Sequence, residues 1–164
     1  MRLALLMMMW PLVAHAAPKG ERPIASTPLA AKVDGKPVAV KSVVASLRMG
    51  QPVIELYDAK LTLCAATETV GKEHLFARIV GIPWTKGTTS FGRATSSAAT
   101  LAFLDAEAHE RPCCKDHAWS GRVDILDAPT TGAGKLRLRL DDGDAAGATA
   151  AEGQAEVLVC TTPE

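Results

Sequence analysis

The chain is poor in aromatic rings, carries no excess of either charge, and has no long apolar run after its first sixteen residues. Each absence narrows what it does. Aromatic residues make up 4% of the 164 residues, which argues against a carbohydrate-binding face built from stacked rings. Trp84 and Trp119 are expected in a core or at its rim. The 18 basic residues balance the 18 acidic ones, so no net field steers the chain to nucleic acid or to an anionic membrane. Lys135, Arg137 and Arg139 form a basic stripe, but they alternate with leucines and read as the wet side of a strand. No long stretch keeps a 3.6-residue period, so a sheet covered by helices is not expected. Established catalytic motifs are missing as well: Ser90, Ser96 and Ser97 have no Gly-x-Ser-x-Gly context.

The first residues, MRLALLMMMWPLVAHAAPKG, have a different character. Arg2 is a short basic start, Leu3 to Ala14 is nearly all apolar, and Ala14-His15-Ala16 offers small residues to a signal peptidase. Residues 1–16 therefore read as a secretory signal peptide, cleaved after Ala16 or one residue later. The run is shorter than the roughly 18 residues of a spanning helix, which makes a membrane anchor the weaker reading. The expected address is the bacterial periplasm or beyond. Residues 17–28 hold three prolines and little apolar matter, and read as a flexible leader.

Residues 29–164 read as one all-β domain. The clearest element is LRLRL, where Leu136, Leu138 and Leu140 share one face of a strand. Around it, Trp119 to Cys160 reads as a three-stranded antiparallel meander with a long tip at DDGDAAGATAAEG. Leu29–Val33 and Lys36–Val43 flank Asp34-Gly35, a strong hairpin turn signal because Gly accepts positive φ freely. Val43 to Met49 is either a continued strand or a helical turn. Pro52–Tyr57, Ala59–Cys64, His74–Ile82, Thr88–Ala94 and Ala98–Leu104 are further strand candidates, the last rich in alanine that also suits a helix. His74, beside Glu73, is expected at the surface or half-buried. About eight short strands separated by turn signals point to an antiparallel β-sandwich or an open barrel.

All four cysteines, Cys64, Cys113, Cys114 and Cys160, follow the export signal, and an oxidising compartment favours pairing them. Cys64 and Cys160 share a phase. Each falls off the apolar face of its segment, set by Leu61 and Leu63 in one case and by Ala155, Val157 and Val159 in the other. Cysteines in one phase on neighbouring strands meet on one face of a sheet. Cys113 and Cys114 then close a vicinal disulfide. In the alternative pairing, each bonds one of the two distant cysteines.

Gly121-Arg122-Val123, an acidic loop, and the terminal pattern Gly153-x-Ala155-x-Val157-x-x-Cys160 resemble small exported bacterial β-sandwich proteins of unknown function. The resemblance covers mainly residues 29–64 and 119–160. It implies a fold, an extracytoplasmic address and a terminal cysteine paired with one about a third of the way along, here Cys64. It implies no activity. This chain departs in lacking a lipidated cysteine and in having Cys113-Cys114.

One constellation has the residue types of chemistry. His109, Cys113, Cys114 and His117 place imidazoles and thiols within nine residues, the ligand set of copper or zinc. The spacing is unlike established zinc patterns, because adjacent side chains diverge in extended backbone. The same residues, read as a thiol–imidazole pair, would suit a redox protein or thiol-dependent enzyme. Asp141, Asp142 and Asp144 around Gly143 resemble calcium ligands in composition, yet a strand-tip turn needs the same residues. The chain thus reads as a binding or structural module with no cofactor, not as an enzyme. Its partner would be another envelope protein, a surface polymer or a small molecule, with copper or zinc as the alternative ligand. The metal reading makes one firm demand. If the loop of His109 and Cys113 holds an ion, stoichiometric copper or zinc should raise the melting temperature of the reduced protein, and an unchanged melting curve removes that site.

Overall fold

The computed structural model describes residues 22–65, 67, 74–93, 95–104, 119–143 and 148–160. Residues 1–16, the start of the leader, and the whole set His109, Cys113, Cys114 and His117 lie outside the described residues. The protein is all-β. Its strands are β1 (Ala30–Val33), β2 (Lys36–Val38), β3 (Ser42–Arg48), β4 (Gln51–Tyr57), β5 (Leu75–Val80), β6 (Gly87–Gly92), β7 (Thr100–Phe103), β8 (Ser120–Asp127), β9 (Thr131–Asp141) and β10 (Ala150–Cys160).

The strands follow the order β6-β8-β9-β10-β3-β4-β5-β7, with β1 and β2 attached beside β10. The two ends of that path, β6 and β7, touch each other, so the sheet curls towards closure and is barrel-like. Each strand of the path sends residues into one interior. Phe91 comes from β6, Val123 and Ile125 from β8, Leu136, Leu138 and Leu140 from β9, and Val157 and Val159 from β10. Val43, Ile54, Ile79 and Phe103 complete the ring from β3, β4, β5 and β7. The three leucines of β9 are 0–1% exposed, and each such burial is worth about 1.5–3 kcal/mol.

The expected antiparallel sandwich is corrected in one respect. β10 runs parallel to β3, with Leu158, Val159 and Cys160 opposite Val44, Ala45 and Ser46. The sheet is therefore mixed. The meander itself is as expected: β9 pairs antiparallel with β8 and, over eleven residue pairs, with β10. The Asp34-Gly35 turn is also present, with φ of 51° and 75°, and Val43 to Met49 resolves as strand β3. Within Ala98–Leu104, Thr100–Phe103 is strand β7 and not helix.

Ala59–Cys64, expected as a strand, is irregular. It has a different task. The connection from β4 to β5 crosses the outer face of the sheet, where Leu61 packs with Val44, Tyr57, Leu75 and Leu104 in a second, smaller core. The Leu61 N–H donates to Ser42 Oγ at 2.7 Å instead of joining a ladder. Cys64 then bonds Cys160 at the end of β10, 96 residues away. A link over that separation is worth at most about 4–5 kcal/mol in the chain-entropy account.

Residues 22–28, read above as part of a loose leader, lie against β9 and β10. Ile24 is buried, and Leu29 N–H and Gln154 N–H exchange bonds with Gln154 O and Thr27 O at 2.9 and 2.8 Å. Arg139 donates to the carbonyls of Arg22 and Pro23 and, at 2.6 Å, to Glu152 Oε1. That last bond, against the opposing effect of burial, holds the Glu152 carboxyl below its ordinary value. Proline-rich composition hid the docking, because main-chain groups make most of it.

Gly153 permits this approach. Its φ is +142°, and a Cβ there would stand 2.7–2.8 Å from backbone atoms of Thr27, Pro28 and Leu29. Gly153→Ala should lower stability to urea by about 2 kcal/mol. It should also strip exchange protection from the amides of Leu29 and Gln154. A variant with the parent's urea midpoint and parent-like protection would show that the segment is not seated there.

Candidate functional site

The chemistry gathers on the outer face of β3, β4 and β5. Alternation puts Ile54 and Leu56 inside the barrel, which sends Val53, Glu55 and Tyr57 outward. Register places Arg78 of β5 directly opposite Glu55, and Val44 opposite it on β3. From the far end of β3, Arg48 reaches back along the face.

Glu55 is fully buried, at 0% exposure. An ionised carboxylate survives such burial only when its oxygens are taken up by donors. Here three donors do so. Oε1 accepts from Arg78 Nε at 3.0 Å; Oε2 accepts from Tyr57 OH at 2.8 Å and from Arg48 Nη2 at 3.2 Å. For Arg48, burial works against the charged form, but the Glu55 carboxylate outweighs it and holds the guanidinium above its ordinary value. Tyr57 is pushed strongly upward, first by burial and then by the negative charge beside it, so its phenol stays protonated.

This cluster opens onto a cavity of about 430 Å³. Arg48, Gln51, Glu55, Tyr57 and Arg78 form its polar side; Met49, Val53, Leu75 and Val80 form its apolar side; Thr67 of the β4–β5 connection borders it. Met49 sits at the tip of the β3–β4 hairpin, with φ of 49° followed by 76° at Gly50, and is fully exposed. Two polar atoms near here are buried without a partner, Ser46 Oγ and Arg48 Nε.

A larger groove, about 760 Å³, runs between the segment at Arg22 and the β8–β9–β10 meander. Two of its cations are engaged, Arg139 with Glu152 and Arg122 with Asp124 at 3.0 Å, and Arg22 and Lys32 also line it. The basic stripe behaves likewise, since Arg137 donates to Gln154 at 3.1 Å. It is the wet face that alternation suggested, with Arg139 ion-paired and Arg137 bonded to a neutral amide.

Among the sequence-designated residues, Cys64 and Cys160 are brought together as a disulfide. Asp141 Oδ1 accepts the Gly143 N–H at 2.8 Å, the local turn that its composition also allowed, while Asp144 lies outside the described residues. No group of metal-ligating side chains occurs among the described residues. His74 is half exposed and its Nδ1 lies 2.8 Å from Asp58, clasping the two ends of the β4–β5 connection. Trp84 donates to Pro129 O at 3.1 Å at the core's rim, and Trp119 tilts against Phe91 with centroids 6.3 Å apart.

Sequence reading passed over Glu55, Arg48, Tyr57 and Arg78. A signal was there. VIELY and FARIV each carry one charge inside an apolar strand, and a lone charge among β-formers asks for a buried partner. No protein-family model matches the chain, and comparison with curated proteins and with solved structures finds no match.

Tyr57 is the sole tyrosine, so phenol absorbance reports on this cluster alone. In the folded protein its ionisation should begin well above the ordinary value of about 10. A raised acid pKa gives stability that is present below about pH 10 and drains away as pH climbs towards the folded value. Glu55→Gln should lower the midpoint part of the way, because burial persists after the charge is gone. A folded-state midpoint near 10 would mean that the phenol is not held against Glu55.

Proposed function

We propose that this chain is an exported, disulfide-stabilised binding module of the cell envelope, and that it binds its ligand without catalysing a reaction. The observation that carries the reading is the Glu55 cluster opening onto the 430 Å³ cavity. Cavities of roughly 300–1,000 Å³ with apolar walls and a few convergent polar groups are the usual form of a small-ligand site. A solvated ion pair would need no cavity.

Binding is favoured over catalysis by how the carboxylate is used. Three of the four lone-pair positions of the fully buried Glu55 carboxylate accept hydrogen bonds, two of them from guanidiniums, which makes it a poor general base. The phenol is already donating to Glu55 and resists ionisation, so it suits orientation and not proton transfer. The export part of the reading rests on residues 1–16 and is supported by the Cys64–Cys160 bond, since such bonds persist in oxidising compartments. Among the described residues no helix is long and apolar enough to cross a membrane.

A fragment screen by amide-resolved NMR on the disulfide-intact protein tests the site. Binders should shift the amides of Arg48, Glu55, Tyr57 and Arg78 together. A screen whose hits all fall elsewhere, or that yields none, overturns the assignment.

A further inference from the structure

We infer that the cavity beside Glu55 takes a small organic acid, a single carboxylate carried on a short apolar body. The inference rests on the binding reading above and names the ligand class.

Charge is the first argument. Two guanidiniums, Arg48 and Arg78, face one carboxylate and one neutral phenol, which leaves one positive charge uncompensated within the cluster. A cationic ligand would meet that excess, and a dianion would overshoot it. A monoanion closes the balance.

Donor inventory is the second. Each guanidinium carries five N–H groups. Glu55 consumes one from each, Arg48 Nη2 and Arg78 Nε. Arg48 Nε–H is buried out of a ligand's reach, but the two arginine side chains are each about a third exposed, 36% and 35%, and keep further N–H groups. Glu55 is fully buried and already accepts three hydrogen bonds, so it offers a ligand little in return. Donors therefore predominate at this end of the cavity, where Gln51 adds an amide, and a carboxylate matches the planar fork of a guanidinium. The buried Glu55 also braces both arginines before a ligand enters, so little ordering remains at the moment of binding.

The opposite wall is the third. Met49, Val53, Leu75 and Val80 present no polar side-chain group, and methionine adapts to irregular shapes. An apolar body fits there. Each methylene it buries should tighten binding about fourfold.

Calorimetric titration of the disulfide-intact protein with octanoate, hexanoate, octanol and octylamine separates these arguments. Octanoate should bind one per chain, hexanoate about sixteenfold more weakly for its two missing methylenes, octanol at least tenfold more weakly, and octylamine not at all. Arg48→Gln should weaken octanoate at least tenfold. Should that variant fail to fold, Met49→Asn decides: the site is exposed, asparagine accepts its positive φ, and octanoate affinity should fall about threefold with the urea midpoint unchanged. Octanol binding as tightly as octanoate, or octanoate binding unaltered by these substitutions, overturns the inference. If fragments still shift the Arg48 and Glu55 amides in that case, the cavity remains a ligand site and only its preference for an acid has failed. If neither octanoate nor any fragment reaches those amides, the binding reading fails with it.

Discussion

The structure depends on β10 being hydrogen-bonded along both edges. One edge is taken along its whole length by β9. The other is divided, with β1 at Ala150 to Glu152 and β3 at Leu158 to Cys160. This division joins the C-terminal meander to the N-terminal half of the chain. Without the short parallel pairing to β3, the sheet would be two separate pieces and the interior would have no common wall. The space between β1 and β3 on that edge admits residues 27–29, and Gly153 makes room for their backbone.

The same strand anchors the outer face. Cys160, its last residue, holds the β4–β5 connection through Cys64, and that connection brings Leu61 down over Val44 and Tyr57. Glu55 and Tyr57 are buried while Arg48 and Arg78 stay about a third exposed, and burial strengthens the hydrogen bonds at the carboxylate. A buried carboxylate is a liability if any of its donors moves away. Here the donors come from three strands whose spacing is set by backbone ladders, which keeps the cluster in register. The site is thus an outgrowth of the fold's staple, with a hydrogen-bonded polar end and a rim, at Met49, open to water.

Local pattern was a good guide wherever one face is wet. LRLRL, the Asp34-Gly35 turn and the meander were legible because alternation and turn chemistry act over a few residues. The pairing of Cys64 with Cys160 was legible for a partly different reason than the one that holds. Cys160 does fall off the apolar face of its strand, but Cys64 belongs to a crossing segment, and Leu63, counted on the apolar face, is 68% exposed. Composition misled at residues 22–28, where prolines suggested a loose leader and backbone hydrogen bonds dock it.

By itself the sequence determined the all-β class, the strands with one wet face, and the disulfide that spans the chain. Tertiary structure decided the parallel β10–β3 contact, the barrel-like closure and the meeting of Arg48, Glu55, Tyr57 and Arg78. The reason is range. Alternation and turns are written in neighbouring residues. Pairing between the ends of the chain depends on which edges remain free once every local element has formed, and a buried carboxylate is tolerated only where such pairings deliver its donors.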